Sequence, residues 1–253
     1  MKVKIQYITN TGLVRDLNED SILINNILES QKNMQVAEEI EIENKKILCV
    51  IADGMGGHSM GEVASKFVLS KLRNSIDSIN DKITLKAEIT KIKKDLDNFV
   101  LDNSAYIGMG TVIAGVLIVD NKLIVFNIGD SRVYENNFGY CEQLTKDHSL
   151  VYSLYASGEI EYDNIQKHPK KNIVTSAMIA DINQEITEIY VKEFDIYNNK
   201  ELLICSDGIW ESMSIKEMEE CFHSKNVVEH LKLKTIQFGA NDNFSAIFLR
   251  VEV

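Results

Sequence analysis

Apolar residues recur along the chain with two different periods, and these separate predicted strands from predicted helices. Val3, Ile5 and Tyr7 alternate with polar residues, which is typical of a half-buried strand. Further along, short apolar runs bounded by turn residues predict more strands. The predicted strands are 3–7, 21–25, 47–52, 110–119, 122–128, 132–135, 140–144, 185–191, 201–205 and 244–251.

Helical spacing is clearest between residues 61 and 79 and again from Ile89 to Phe99, where apolar side chains recur every three or four positions. Shorter helical patterns cover 148–156, 214–223 and 226–237. The polar stretch 29–46 predicts an exposed loop or a small hairpin. Strands in runs and helices in pairs favour a layered α+β domain over a doubly wound sheet. No linker or repeat divides the chain, so we expect a single domain over residues 1–253.

Composition and charge narrow the classes of function. The 253 residues are 45% hydrophobic and 26% charged, which is typical of a globular chain that needs no disulfides. The 27 basic against 38 acidic residues give a net charge of −11, which argues against a nucleic-acid groove. Four widely spaced cysteines, no signal peptide and no long apolar run predict a cytoplasmic protein without a membrane anchor.

Acidic residues stand at the ends of several predicted strands. Asp53 ends the run 47–52 and is followed by Gly54, whose carbonyl a glycine-rich turn leaves accessible. One Asp-Gly pair is an ordinary turn former, but the arrangement recurs. If these strand ends meet at one edge, they form an oxygen-only cluster that favours Mg²⁺ or Mn²⁺ over Zn²⁺. The cluster would contain Asp20, Asp53, Asp130, Asp207 and Asp242.

Two of these positions leave alternatives open. Arg15, shortly before Asp20, is either a structural counter-ion or a clamp for an anionic substrate, since its planar fork suits phosphate. Asp130 is either a cation ligand or a turn carboxylate paired with Arg132. Two metals and one arginine are what hydrolysis of a phosphate monoester requires.

Seven motifs follow one another between residues 12 and 245. They are Gly12-x-Val14-Arg15-x-x-Asn18-Glu19-Asp20, Ala52-Asp53-Gly54-Met55-Gly56-Gly57-His58, Gly110-Thr111, Asn127-Ile128-Gly129-Asp130-Ser131-Arg132, Thr145-Lys146-Asp147-His148-Ser149, Ser206-Asp207-Gly208-Ile209-Trp210 and Asp242-Asn243-x-Ser245. In type and order they resemble the motifs of the metal-dependent protein serine/threonine phosphatases, the type 2C family, in their bacterial form. The resemblance spans most of the chain.

The resemblance implies a four-layer α-β-β-α sandwich, in which two antiparallel sheets are flanked by helix pairs and a dimetal centre lies between the sheets at one edge. It implies hydrolysis of phosphoserine and phosphothreonine by direct attack of a metal-activated water. The expected partners are phosphorylated proteins, either substrates of a Ser/Thr kinase or the kinase itself. We expect a monomer with no nucleic-acid partner, and a flap at about 148–168 beside the active site.

The resemblance also implies roles for individual residues. Asp53 would bridge two Mn²⁺ or Mg²⁺ ions and, with Arg15, carry catalysis. Arg15 would bind the substrate phosphate. The other implied positions are the Gly54 carbonyl on one ion, Asp207 and Asp242 on the other, Glu19 and Asp20 on metal-bound waters, and Asp130 with Asp207 on a third, weaker ion found in some members.

The chain departs from the family pattern in two places. Met55 stands where eukaryotic members have a candidate general-acid histidine, so the general acid is unassigned, and His58 is left between proton transfer and a structural hydrogen bond. Residues 171–178 lack an expected arginine and glycine. The main alternative is a pseudophosphatase that binds phosphoproteins or a kinase without turnover, which the intact ligand set opposes. A two-metal nuclease is disfavoured by the acidic charge.

Overall fold

The computed structural model describes residues 1–56, 60–161, 164–165 and 167–252. Within these ranges the strands are β1 (Lys2–Asn10), β2 (Ser21–Ile24), β3 (Ile27–Ser30), β4 (Glu38–Glu43), β5 (Lys46–Met55), β6 (Gly110–Val119), β7 (Lys122–Ile128), β8 (Arg132–Asn137), β9 (Tyr140–Gln143), β10 (Met178–Ile179), β11 (Tyr190–Asp195), β12 (Glu201–Cys205) and β13 (Phe244–Glu252). The helices are α1 (Gly61–Ser75), α2 (Lys82–Asp102), α3 (Leu150–Ala156), α4 (Asp207–Trp210), α5 (Ile215–Phe222) and α6 (Val227–Gln237).

The strands form two antiparallel sheets. The first has the order β4-β1-β13-β12-β8-β9, and the second has the order β11-β7-β6-β5-β2-β3, with β10 paired to β6. Helices α1 and α2 pack on the second sheet, while α5 and α6 pack on the first. The predicted four-layer α-β-β-α sandwich is therefore confirmed.

The period-2 pattern of β5 shows how the layers are held together. Ile47, Cys49 and Ile51 belong to the core between the two sheets. The intervening residues Leu48 and Val50, with Ala52, pack against α1 and α2 on the other face of the same sheet. Because both faces of β5 are covered, the strand reads as a continuous apolar run and not as an alternating one.

The stretch 29–46 is neither an exposed loop nor a hairpin of its own, so this prediction is wrong. Its first residues belong to β3, which pairs with β2, and the chain then crosses to the other sheet, where β4 pairs with β1. The sequence of β4 is Glu-Glu-Ile-Glu-Ile-Glu, and only its two isoleucines pack against the core. As an edge strand with charged outer positions, β4 resembles a polar loop in composition.

The remaining differences are small. The predicted strand 185–191 lies later, at β11, and the short α4 and β10 had no signal of their own. All four cysteines are free thiols. Among the described helices, none has the length and apolar character needed to cross a membrane.

Candidate metal centre

The five strand-end aspartates come from both sheets. Asp53 lies near the end of β5 and Asp130 follows β7, both in the second sheet. Asp207 begins α4 directly after β12, and Asp242 precedes β13, both strands of the first sheet. A cavity of about 270 Å³ is lined by these four aspartates together with Arg15, Glu19 and Gly54. The sandwich thus brings the predicted cluster to one edge between its sheets.

Asp20 stands apart from the others because it does not line this cavity. It is buried beside Asp53, and its Oδ2 accepts a hydrogen bond of 2.8 Å from the Ser206 hydroxyl. Its Oδ1 is also buried and finds no donor among the described residues. Burial raises the pKa of Asp20 to about 6.

The other carboxylates are also held in an unfavourable electrostatic setting. Burial, followed by repulsion from neighbouring aspartates, raises the pKa values of Asp53 and Asp207 well above the usual range. Burial, with repulsion from Asp147, raises the pKa of Asp130 to about 7. Several such groups at one point, all oxygen donors, with an unpaired buried oxygen on Asp20, fit a hard divalent cation as their counter-charge.

The side chains are not arranged as a closed cage. Within the described ranges, no three His, Cys, Asp or Glu side chains are placed to hold a metal ion by themselves. Asp242 already has a cationic partner, since its Oδ2 accepts a 2.7 Å hydrogen bond from Arg15. The half-exposed Arg15 side chain spans the cavity wall. A cation in this cavity has to compete with that guanidinium for Asp242.

Close backbone packing fixes the position of the Gly54 carbonyl. A Cβ atom on Gly54 would lie 2.3 Å from the carbonyl oxygen of Gly61 and 2.7 Å from that of Glu19. The Glu19 side chain lies beside the same contact, and its Oε1 accepts a hydrogen bond of 3.2 Å from the Gly61 N–H. Burial raises the pKa of Glu19. Only glycine fits at position 54.

Asp130 and Arg132 do not form the ion pair that was one of the two alternatives. Arg132 is buried and binds Asp147, with its Nη2 2.6 Å from Asp147 Oδ2, and its guanidinium stacks over the ring of Trp210. The carbonyl oxygen of Asp130 accepts a 3.1 Å hydrogen bond from Trp210 Nε1. The Asp130 carboxylate is therefore left to the cavity, which it lines.

Several residues around the centre were quoted in motifs but given no role by the sequence. Ser206 links Asp20 to β13, since its hydroxyl also accepts from the Ser245 N–H at 2.9 Å. Asn243 orders the loop before β2, because its Oδ1 accepts from the Glu19 N–H and its Nδ2 donates to the carbonyls of Thr11 and Leu17, each at 2.8 Å. The sequence signal for a role at the centre was their position, since Ser206 directly precedes Asp207 and Asn243 directly follows Asp242.

Two residues that follow the expected flap border the cavity: Asn172 and Val174 both line it. The flap at about 148–168 stays a prediction. Lys171 forms an ion pair with Glu211. His58, together with Gly57 and Ser59, lies outside the described residues, and so do Tyr162, Asp163 and Gln166 of the expected flap. Met55 lines the cavity, as expected for the position at which eukaryotic members of the family have a histidine.

Several solved structures and known sequences from bacteria are similar to this chain. A serine/threonine phosphatase of Mycobacterium tuberculosis, PstP/Ppp, superposes with a TM-score of 0.83 at 27% identity, with both chains fully covered. The catalytic domain of PstP, solved in complex with two manganese ions, gives a TM-score of 0.80 at 26% identity with the same coverage. The serine/threonine phosphatase stp of Listeria innocua is 28% identical over 96% of this chain and 94% of its own length.

These similarities place the fold in the class of the bacterial serine/threonine phosphatases. Residues 30–235 match the family model described as Protein phosphatase 2C, which is most of the chain. The chain belongs to the protein phosphatase 2C family.

Proposed function

We propose that this chain is a Mn²⁺- or Mg²⁺-dependent phosphatase of phosphoproteins, which hydrolyses phosphoserine and phosphothreonine monoesters without a covalent enzyme intermediate. The observation that carries the proposal is the acidic cavity with Arg15 on its wall, at the edge where both sheets end. We propose one catalytic domain over residues 1–253, with a flap at about 148–168.

The oxygen donors at this edge divide into three groups. Asp53, the Gly54 carbonyl, Asp207 and Asp242 would hold the ions. Glu19, which lines the cavity, and Asp20, which is buried beside Asp53, would orient bound water. Asp130 would share a third, weaker ion with Asp207. Bound divalent cations supply a water nucleophile at neutral pH and offset charge on the phosphoryl oxygens.

Arg15 would hold the substrate phosphate in the orientation for in-line attack. Only its Nη2 is engaged by Asp242, so other guanidinium donors remain for a phosphate oxygen in the cavity. If Asp242 held an ion, its ion pair with Arg15 would weaken, and more of the guanidinium would be available to the phosphate. The general acid for the leaving group stays unassigned, because Met55 offers no proton.

The expected partners follow from the reaction. The substrates would be phosphoproteins that a Ser/Thr kinase has modified, the kinase included, and the enzyme would act as a monomer. Four free cysteines support a reducing, cytoplasmic location. A pseudophosphatase would need a missing ligand, whereas every proposed position carries its oxygen donor.

The test is release of phosphate from a phosphothreonine peptide by the pure protein, with Mn²⁺ and then with excess chelator.

Arg15→Ala should lower kcat/KM, because a charge-assisted contact with the phosphate is lost. The corresponding loss of transition-state stabilisation should be about 2 to 4 kcal/mol. Its Mn²⁺ affinity, measured by calorimetry, should not fall, since Asp242 loses a competitor. Arg250→Ala, which breaks an ion pair with Glu201 away from the cavity, is the control. Tight peptide binding by the wild type without phosphate release would favour the pseudophosphatase.

A further inference from the structure

Large exposed apolar side chains flank Arg15 in the sequence, and another lines a cavity that Arg15 also lines. Leu13 and Val14 are each 64% exposed and Leu17 is 46% exposed, all within two positions of Arg15. Phe238, 41% exposed, lies on the wall of a neighbouring cavity that Arg15 also lines. These four residues are called the apolar rim below. Single exposed apolar residues are normal, but a group of them around one functional arginine calls for an explanation.

The backbone that carries the apolar rim is firmly held. The Leu13 N–H donates to the Ala240 carbonyl at 2.9 Å, and Asn243 binds the Leu17 carbonyl at 2.8 Å. Gly12 has a φ of +79°, and a Cβ atom there would lie 2.3 Å from the Asp242 carbonyl oxygen. The loop therefore cannot turn these side chains inward without breaking its contacts with residues 240–243.

Phe238, one residue of the apolar rim, lines a cavity that adjoins the metal cavity. This neighbouring cavity, of about 380 Å³, shares Arg15, Asn172, Asp207 and Asp242 with the metal cavity. The other three rim residues lie within two positions of Arg15, so their Cα atoms are at most about 7 Å from its Cα. The residues that flank a phosphorylated side chain in contact with Arg15 are therefore within reach of the apolar rim.

The two basic residues that line these cavities already have acidic partners. Arg15 is paired with Asp242, and Lys171 is paired with Glu211. An acidic residue beside the phosphorylated one would have to compete for one of these two cations. An apolar residue would instead cover exposed apolar surface, which is favourable in proportion to the area removed from water.

We propose that the apolar rim recognises an apolar side chain within two residues of the phosphorylated serine or threonine. The preferred substrates are then phosphoproteins whose modified site is flanked by residues such as leucine or valine. This assignment rests on the proposed phosphatase function and adds a substrate class to it.

The test uses two phosphothreonine peptides that are identical except for leucine or serine at the two positions on each side. With Mn²⁺, the wild type should favour the leucine peptide by about three- to tenfold in kcat/KM, mainly through KM, because a rim contact keeps one face in water. The double variant Leu13→Ser, Val14→Ser should bring this ratio close to one. Ile83→Ser, an equally exposed position on α2, should leave the ratio unchanged.

A second variant, Phe238→Ser, keeps the test valid if the double variant fails to fold, and it should lower the same ratio. Equal rates for the two peptides, a preference for charged flanks, or a loss that is the same for both peptides would each overturn the role of the apolar rim. If the wild type hydrolyses neither peptide, the proposed function itself falls. Hydrolysis without discrimination overturns the apolar rim alone.

Discussion

Asp53 lies close to four other aspartates. Burial and the repulsion from these four carboxylates all raise its pKa. In the metal-free protein, Asp53→Asn should remove part of this repulsion. We expect its metal-free free energy of unfolding to rise by about 1 kcal/mol or more, since each pKa unit corresponds to about 1.4 kcal/mol. Mn²⁺ should no longer raise the Tm, and turnover should be lost. Thermal melts with chelator and with Mn²⁺ measure both effects.

The matched control is Asp97→Asn. Asp97 pairs with the buried Lys93 at 2.6 Å, so this change leaves a cation without its partner and should lower the stability. The opposite signs separate relief of repulsion from a general effect of removing a carboxylate. A lower metal-free Tm for Asp53→Asn, or continued stabilisation by Mn²⁺, would contradict the proposed role of Asp53 in holding the ions.

At the scale of elements, the turn between β7 and β8 depends on the residues that precede α3. The Nδ1 of the buried His148 accepts a 3.0 Å hydrogen bond from the Gly129 N–H, and the His148 N–H donates to the Gly129 carbonyl at 2.9 Å. Gly129 has a φ of +100°, and a Cβ atom there would collide with the Val112 side chain. Burial lowers the pKa of His148, which keeps the imidazole neutral and able to accept. These contacts orient Asp130.

His148→Leu should therefore leave the Gly129 N–H buried without an acceptor, at a cost of about 1–3 kcal/mol in stability. It should also lower turnover of phosphopeptides, because Asp130 is no longer fixed. His148→Asn, whose Oδ1 can take the place of Nδ1, should restore most of both. Denaturant unfolding and phosphopeptide kinetics are the measurements. If His148→Asn is as impaired as His148→Leu, the acceptor is not what matters.

The sequence predicted the strand-end aspartates because each stands beside a local signal, an apolar run on one side and a glycine or strand on the other. It could not assign a role to Ser206 or Asn243, because both form hydrogen bonds with residues that are distant in the sequence, Asp20 and Leu17 respectively. The same limit hid β4, whose partner β1 and whose core contacts lie outside its own sequence. Sequence patterns reflect local structure. Ser206, Asn243 and β4, in contrast, are defined by contacts with distant parts of the chain.

For the whole molecule, the aspartates at the sheet edge set the pH dependence of stability. The pKa of Asp20 is raised to about 6 and that of Asp130 to about 7, against about 4 in an unfolded chain. An acid with a raised pKa takes up a proton on folding, so its cost is absent below about pH 4 and grows until the pH reaches the pKa in the folded protein. Between pH 5 and pH 8 the metal-free protein should therefore lose roughly 4 kcal/mol of stability, about 1.4 kcal/mol of it from Asp20 and the rest from Asp130.

Denaturant unfolding with chelator at pH 5, 6, 7 and 8 measures this slope. Asp130→Asn should flatten its upper part, and saturating Mn²⁺ should remove the loss by supplying the counter-charge. A metal-free stability that is constant or rises over this range would show that the carboxylates are not coupled as the folded structure implies.

The pairing of β1 with β13 in the interior of the first sheet, from Lys2 opposite Glu252 to Asn10 opposite Phe244, has a consequence for synthesis on the ribosome. A growing chain meets β1 first and β13 more than two hundred residues later, and until then both β1 and β12 keep a free edge toward the missing strand. Asp242 emerges only just before β13. The nascent protein therefore has no complete cleft before the strand that joins the two parts of the sheet has been made.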